Sequence, residues 1–110
     1  MVSEHVMGFS SANWADEVEN AAVPVLVDVS ANWCAPCRML APIIADLATA
    51  YQGVMKFGTL DADAETALAA RLGVLGLPTL LVFKNGQVVD RIAGFTPKPA
   101  LKQRIDTVLA

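Results

Sequence analysis

The sequence predicts an α/β fold in which a mixed β-sheet of about five strands is flanked by about four helices. Strand-like and helix-like hydrophobic periods alternate over residues 5–72, a pattern typical of parallel β-α-β units. Segments 79–83 and 88–92 then flank the Asn-Gly pair at 85–86, which favours a tight β-hairpin. Because a hairpin follows the parallel unit, and an amphipathic helix at 101–109 ends the chain, the sheet should be mixed and covered by helices.

Short apolar runs and helical periods define the elements before the hairpin. The run at 23–29 is β-branched and almost entirely apolar, which indicates a strand covered on both faces. Ser11 should cap the first helix, and the second should bury a stripe that runs from Met39 to Tyr51. Pro42 should kink that second helix, because its ring lacks an N–H and crowds the preceding turn. The predicted elements are strands at 5–9, 23–29 and 55–60 and helices at 11–20, 37–51 and 64–72.

Composition and charge exclude several classes of protein. The 110 residues suffice for one domain, 1–110, with its own core, and a hydrophobic content of 55% rules out intrinsic disorder. The net charge of −3 gives no basic excess for binding nucleic acid, and no apolar run approaches the ~18 residues of a membrane span. The acidic N-terminal segment does not resemble a signal peptide, so we expect a cytoplasmic protein in a reducing compartment.

The most informative segment is Trp33-Cys34-Ala35-Pro36-Cys37, which lies where a core strand ends and a helix begins. The unpaired N–H groups and the dipole of a helix N-terminus favour a negative charge, so Cys34 should ionise readily and react at neutral pH. Cys37 follows three residues later, close enough to form a disulfide with Cys34. Pro36 restricts the backbone between the two cysteines, which suits a ring that opens and closes without rearranging the fold.

These positions predict different roles for the two cysteines. Cys34, at an exposed helix tip beside Trp33, should attack a target disulfide and form a mixed disulfide. Cys37 should be shielded one turn further in, and it must lose its proton before it attacks Cys34 and releases the reduced target. Asp28 is the expected proton acceptor, because it is the only charged residue in an apolar strand and burial should raise its pKa.

Plainer interpretations of the same residues exist. A structural disulfide is poorly motivated because the bridge would close a very short loop. Structural zinc needs four ligands, and the only histidine, His5, is distant in sequence from the cysteines. Asp28 as a solvated carboxylate at a strand end, Trp33 as core packing and Pro78 as a simple turn residue are the remaining alternatives.

A second polar cluster lies near the third predicted helix. Asp61, Asp63 and Glu65 resemble a set of metal ligands, but acidic residues also suit the N-terminus of a helix. We interpret them as a solvated helix start and expect no metal site.

Several further segments match those of one known family. Beside the cysteine segment they are Leu26-Val27-Asp28, Ala41-Pro42, Tyr51-Gln52-Gly53, Gly76-Leu77-Pro78-Thr79, Phe83-Lys84-Asn85-Gly86 and Gly94. On these residues the chain resembles the thioredoxin family over nearly its whole length, and Cys-X-X-Cys beside a β-α-β pattern is that family's redox signature. The resemblance implies a thioredoxin fold and a protein-disulfide reductase without a bound cofactor, because the dithiol itself carries the electrons.

The resemblance also implies partners and a target-binding surface. A thioredoxin reductase, linked to NADPH or to ferredoxin, would recharge the protein, and disulfide-containing proteins would be its targets. A cis peptide bond would precede Pro78 and face the cysteines, and an extended target strand would pair with the backbone beside it. We expect a monomer whose apolar target-binding surface consists of Trp33, Gly76, Leu77, Pro78 and Gly94.

Three residues depart from the usual bacterial pattern of this family. Ala35 stands where glycine is commonest, which should alter thiol access or redox poise slightly, while Pro36 still favours a reductant. Ser30 stands where the family usually has an aromatic residue, commonly tryptophan, and its small side chain should admit water beside Asp28. Thr59 stands where a lysine often neighbours the aspartate, so the pKa of Asp28 should be higher here than in relatives that keep the lysine.

Two other functions would use the same residues. A non-catalytic binding module would hold a partner on the surface around Trp33 and Pro78, with redox cycling incidental. A thiol oxidase or isomerase would use the same cysteines at a different potential, and most such roles would require export. A Cys34→Ser, Cys37→Ser double variant separates a scaffold from a reductase, because only a scaffold keeps its biological activity.

Overall fold

Five β-strands, one π-helical turn and three α-helices make up residues 3–110, the part of the chain that the computed structural model describes. The strands are β1 Val6–Phe9, β2 Val25–Ser30, β3 Lys56–Asp61, β4 Thr79–Lys84 and β5 Gln87–Ala93. The helices are the π-helical turn Ala15–Glu19 and the α-helices α1 Ala35–Ala50, α2 Thr66–Arg71 and α3 Lys98–Leu109. Over this range, no helix is both long enough and apolar enough to cross a membrane.

The five strands form one mixed sheet in the order β1-β3-β2-β4-β5. β1, β3 and β2 run parallel to one another, whereas β4 is antiparallel to both of its neighbours, β2 and β5. β2 lies at the centre of the sheet, and residues 25–29 are all buried, as their apolar run predicts. The predicted α/β fold with a mixed five-stranded sheet is therefore confirmed.

Two apolar layers cover the two faces of the sheet. On one face, Leu26 of β2 and Phe57 of β3 pack with α1 and α3. On the other face, Val25 and Val27 of β2 pack with the π-helical turn and α2. Because side chains alternate between the faces of a strand, Asp28 follows Leu26 onto the face that α1 covers. The fold thereby places a carboxyl group between the central strand and the helix that carries the cysteines.

The first predicted helix is present, but it is shorter than expected and is π-helical. Residues 11–20 contain only the π-helical turn Ala15–Glu19, and no side chain caps it. Ser11 is not the expected cap, since its backbone N–H donates to the Glu65 carboxylate at 3.0 Å. The side chain of Asn13 instead bonds to two backbone groups of the preceding turn. Such local side-chain bonds compete with regular helix, and here they delay its start.

One residue of the predicted buried stripe in α1 is exposed. Met39 is 61% exposed, whereas Leu40, Ile44 and Leu47 are buried. A buried stripe follows spacings of three and four residues, and Met39 is one residue out of phase with Leu40. Met39 therefore lies on the surface, in the turn that follows the cysteines.

The predicted two-residue turn closes the β4–β5 hairpin. Asn85 and Gly86 have φ angles of 54° and 76°, both in the left-handed region that a type I′ turn requires. Lys84 pairs with Gln87 across the turn. Gly86 also approaches the first half of the chain, because an added Cβ would lie 2.9 Å from the Glu19 carbonyl oxygen.

A Gly86→Ala substitution should lower the free energy of unfolding by about 1–3 kcal/mol. The added Cβ would strain a left-handed backbone and displace the Glu19 carbonyl. Gly8→Ala is the matched control, because Gly8 lies outside the left-handed region and a Cβ there meets nothing within 4 Å. Urea unfolding measures both variants, and equal loss of stability in the two would contradict the constraint at Gly86.

Candidate active site

Cys34 and Cys37 form a disulfide at the N-terminus of α1, with their Cα atoms 5.2 Å apart. Cys34 caps the helix, and its Sγ accepts a hydrogen bond from the Cys37 N–H at 3.2 Å. Ala35 and Pro36 form the first turn, where proline is tolerated because its missing N–H would be unpaired in any case. The predicted cysteine pair at a strand-to-helix junction is confirmed.

The two cysteines are equally buried in the disulfide form. Cys34 is 3% exposed and Cys37 is 4% exposed, so the expectation of an exposed Cys34 above a shielded Cys37 is wrong for this form. The side chain of a capping residue folds back over the first turn, and the disulfide holds it there. The two cysteines differ in their neighbours instead. Cys37 lines a cleft that also contains Asp28, whereas Trp33, next to Cys34, is 68% exposed.

Asp28 is buried on the α1 face of the sheet, as the sequence predicts. The residue is 2% exposed, and its Oδ1 has no hydrogen-bond partner among the described residues. Burial away from water disfavours the carboxylate and raises the pKa of Asp28 to about 7. An acid with this pKa exchanges its proton readily near neutral pH. That the pKa of Asp28 is higher than in relatives that carry a lysine beside the aspartate stays a prediction.

Asp28 and Cys37 line the same cleft, which has a volume of about 540 Å³. Asp28 and Ser30 lie on the same face of β2, and Thr59 is the residue of β3 that pairs with Asp28. Polar side chains therefore converge at one end of a sheet face that is otherwise apolar. The short side chains of Ser30 and Thr59 border the open space beside the carboxyl group.

The residues expected to bind a target meet in two neighbouring pockets. Gly76, Leu77, Pro78 and Gly94 line a pocket of about 260 Å³, and Trp33, Gly76 and Leu77 line another of about 360 Å³. The Leu77–Pro78 peptide bond is cis, as the resemblance implies. The Gly94 N–H donates to the Pro78 carbonyl at 2.8 Å, so the end of β5 holds the proline segment in place.

Leu75 also belongs to this surface, although the sequence analysis did not single it out. Its side chain is fully exposed and lines both pockets. Leu75 stands in a loop between Gly73 and Gly76, outside any strand or helix. Val74 and Leu77 of the same loop pack against the core, whereas Leu75 does not, so the sequence alone does not single Leu75 out.

Two long-range hydrogen bonds support the surface, and neither is visible in the sequence. Asp63 accepts a hydrogen bond from the Trp33 indole N–H at 2.9 Å, which orients a largely exposed ring. Arg91 of β5 donates to the Leu72 carbonyl at 2.6 Å, just after α2. The interpretation of Asp63 as part of a solvated helix start is therefore incomplete, since α2 begins only at Thr66.

The other acidic residues before α2 bond to the backbone. Asp61 accepts a hydrogen bond from the Asp63 N–H at 2.9 Å, and Glu65 accepts the one from Ser11. Within residues 3–110, no group of three or more His, Cys, Asp or Glu side chains is arranged to hold a metal ion.

The chain is similar to known proteins over most of its length. The family model for thioredoxin matches residues 5–107. The chain belongs to the thioredoxin family. It is 39% identical over 97 residues to thioredoxin 1 of Nostoc sp., an alignment that covers 88% of this chain and 91% of that protein. It is 40% identical over 101 residues to the thioredoxin of Staphylococcus aureus, with 92% and 95% covered. It is also 40% identical over 97 residues to the chloroplastic M-type thioredoxin of Pisum sativum, with 88% and 56% covered.

Family membership and the cysteine pair together define the chemistry. A thioredoxin-family chain whose two cysteines join as a disulfide carries out dithiol–disulfide exchange. The protein is a protein-disulfide reductase: its dithiol gives two electrons and two protons to a disulfide of another protein and becomes the disulfide form. Thioredoxins act on disulfide-containing targets and are returned to the dithiol form by a reductase.

The raised pKa of Asp28 predicts a fold that becomes less stable as pH rises. An unfolded aspartate loses its proton near pH 3.8, whereas buried Asp28 keeps its proton up to about pH 7. Between these values the folded state binds more protons than the unfolded state, so the free energy of unfolding falls with increasing pH. The decrease in the free energy of unfolding is complete above the pKa of Asp28 in the folded state, and it amounts to roughly 4 kcal/mol.

Urea unfolding of the disulfide form at pH 4 and pH 8 measures this effect. Asp28→Asn should remove the decrease and be more stable than the unaltered protein at pH 8, because an amide does not ionise. Asp16→Asn, at an exposed position, is the control and should leave the pH dependence in place. A pH dependence that is the same in both variants would contradict the burial argument.

Proposed function

We propose that Cys34 is the nucleophile of the reductase. The N-terminus of α1 and the hydrogen bond from the Cys37 N–H to its Sγ both favour the thiolate, which is the attacking form. The Cys34 thiolate bonds to one sulfur of the target disulfide. The bond between the two target sulfurs breaks, and the second target sulfur leaves as a thiolate. The product is a mixed disulfide between Cys34 and the target.

Cys37 is the resolving thiol, and Asp28 accepts its proton. The cleft that the two residues share supports this assignment, and Cys34 is absent from its lining. A carboxyl with a pKa of about 7 takes up and releases a proton at the pH where the reaction runs. The Cys37 thiolate then bonds to Cys34, the bond from Cys34 to the target sulfur breaks, and the reduced target leaves.

Targets dock as extended segments across the two neighbouring pockets. The backbone around Pro78 pairs with the main chain of the target, which explains a broad target range because such pairing does not depend on side chains. Ala35 and Pro36 support the site by fixing the backbone between the cysteines. The surface that contacts the target consists of Trp33, Gly76, Leu77, Pro78 and Gly94, to which we add Leu75.

The protein operates as an electron carrier between a reductase and its targets. Its donor is a thioredoxin reductase linked to NADPH or to ferredoxin. It works as a cytoplasmic monomer formed by the single domain 1–110. It needs no bound cofactor or metal, because two cysteine sulfurs store the two electrons that are transferred.

Replacing Cys37 by serine should trap targets as mixed disulfides, because Cys37→Ser lacks the thiol that resolves them. Incubation with a cell lysate, non-reducing electrophoresis and mass spectrometry identify the trapped proteins. Cys34→Ser is the matched control and should trap few or none. Efficient trapping by Cys34→Ser, with none by Cys37→Ser, would reverse the roles of the two cysteines.

Asp28→Asn should slow the resolution of the mixed disulfide by roughly 10-fold or more at pH 7, since loss of a general base has effects of this order. The first attack by Cys34 should change much less. Stopped-flow measurement with a disulfide-containing peptide separates the two steps, and Asp16→Asn serves as the control. The effect should shrink at alkaline pH, where Cys37 ionises without help. A resolution rate that is unchanged at pH 7 would remove Asp28 from the mechanism.

A further inference from the structure

The cleft beside Asp28 is much larger than a proton acceptor requires. Its volume of about 540 Å³ is many times the roughly 30 Å³ that one water molecule occupies in the liquid. Ser30, Thr59 and Asn32 line it, and their side chains carry hydroxyl and amide groups that can hydrogen-bond to water. Asp28 is buried, Ser30 and Thr59 are half-buried and Asn32 is exposed, so the lining leads from the carboxyl group to solvent.

The cleft is separate from the surface where targets dock. None of its lining residues lines either of the two neighbouring pockets around Leu75 and Leu77. Only Cys37 belongs to both the cleft and the disulfide. A target segment that occupies only these two pockets does not occupy the cleft.

The groups that face Asp28 leave its carboxyl without a fixed partner. Thr59 of β3 and Leu80 of β4 pair with it in the sheet, and α1 contributes Cys37 and Arg38 to the cleft. In the described part of the chain, Arg38 is the only other charged residue in the lining, and its guanidinium donates to the Asn32 carbonyl at 2.8 Å. Asp28 Oδ1 is a buried polar atom without a partner among the described residues, and the cleft is the route by which water can approach this carboxyl group.

We propose that this cleft is the proton exit of the second reaction step, through which water or a small base reaches Asp28 while a target is docked elsewhere. This inference rests on the proposed role of Asp28. It adds Ser30 and Thr59 to the reaction as residues that keep the exit open. Neither residue touches the sulfur atoms that react.

Cys37 gives its thiol proton to the Asp28 carboxylate, and its sulfur bonds to Cys34 while the bond from Cys34 to the target breaks with its electron pair on the target sulfur. Asp28 then passes the proton to a base in the cleft and becomes a carboxylate again. In the rival route, Asp28 gives this proton to the departing target thiolate, and the cleft has no part in the reaction.

Filling the cleft while Asp28 is intact distinguishes the two routes. Ser30→Trp should slow the resolution step by about 10-fold or more at pH 7 if the proton leaves through the cleft, and should leave the rate unchanged if the proton goes to the target.

Chemical rescue then tests whether a small base enters through the cleft. Asp28→Ala removes the acceptor and enlarges the cleft, so added imidazole should accelerate its slow resolution step by about 10-fold or more. Imidazole is suitable because it is small and titrates near neutral pH. In the Asp28→Ala background, Ser30→Trp should fill the cleft and abolish the rescue, whereas Ser30→Ala should preserve it. The measured quantity is the rate at which a mixed disulfide between Cys34 and a peptide resolves.

With Asp28 intact, resolution that is slower in Ser30→Trp than in Ser30→Ala supports the exit, and equal rates in these two variants overturn it. In the Asp28→Ala background, rescue that Ser30→Trp abolishes and Ser30→Ala preserves shows that the base enters through the cleft. Absence of rescue in Asp28→Ala, or equal rescue with Ser30→Trp and with Ser30→Ala, overturns the proposed exit. Thr59→Leu provides a second variant that fills the cleft, from the side of β3. Circular dichroism verifies that each variant is folded. Resolution by Asp28→Ala as fast as in the unaltered protein would instead show that Asp28 is not the proton acceptor, and the exit would fall with it.

Discussion

A helix whose first turn is capped by a sulfur atom is the constraint on which the site depends. The first turn of any α-helix leaves N–H groups unpaired, and in α1 the side chain that accepts one of them belongs to Cys34. The partial positive charge at this end of the helix therefore acts directly on the Cys34 sulfur, which we propose as the nucleophile. Leu40, Ile44 and Leu47 bury the opposite side of α1 in the core and hold its first turn in a fixed place.

The second feature of the proposed mechanism is the Asp28 carboxyl group, which lines the same cleft as Cys37 and whose Oδ1 has no hydrogen-bond partner among the described residues. An ion pair or several hydrogen bonds would stabilise the carboxylate and make Asp28 a weaker base, whereas burial raises its pKa into the range of the reaction. The same burial reduces the stability of the fold at neutral pH, so the site trades stability for proton transfer. The open cleft bordered by Ser30 and Thr59 fits this compromise, because it gives solvent a route toward a carboxyl group that itself stays buried.

Features with a local physical cause were predictable from the sequence. The apolar run in β2, its interruption by Asp28 and the Asn85-Gly86 turn each depend on neighbouring residues, and all three are found as expected. The first helix begins later than predicted because the Asn13 side chain bonds to backbone groups of Gly8 and Ser10, a competition that the apolar periodicity does not report. The Trp33–Asp63 hydrogen bond spans 30 positions, and the burial of Cys34 depends on how the first turn of α1 packs, so no local pattern reports either one.

The relative reactivity of the two thiols in the reduced protein tests the central claim most directly. Alkylation with iodoacetamide at pH 7, followed by peptide mass spectrometry, gives a separate rate for each sulfur. The account predicts that Cys34 reacts roughly 10-fold faster than Cys37, and faster than a free cysteine, because a helix N-terminus stabilises the reactive thiolate. Equal rates for the two sulfurs, both similar to that of free cysteine, would contradict it.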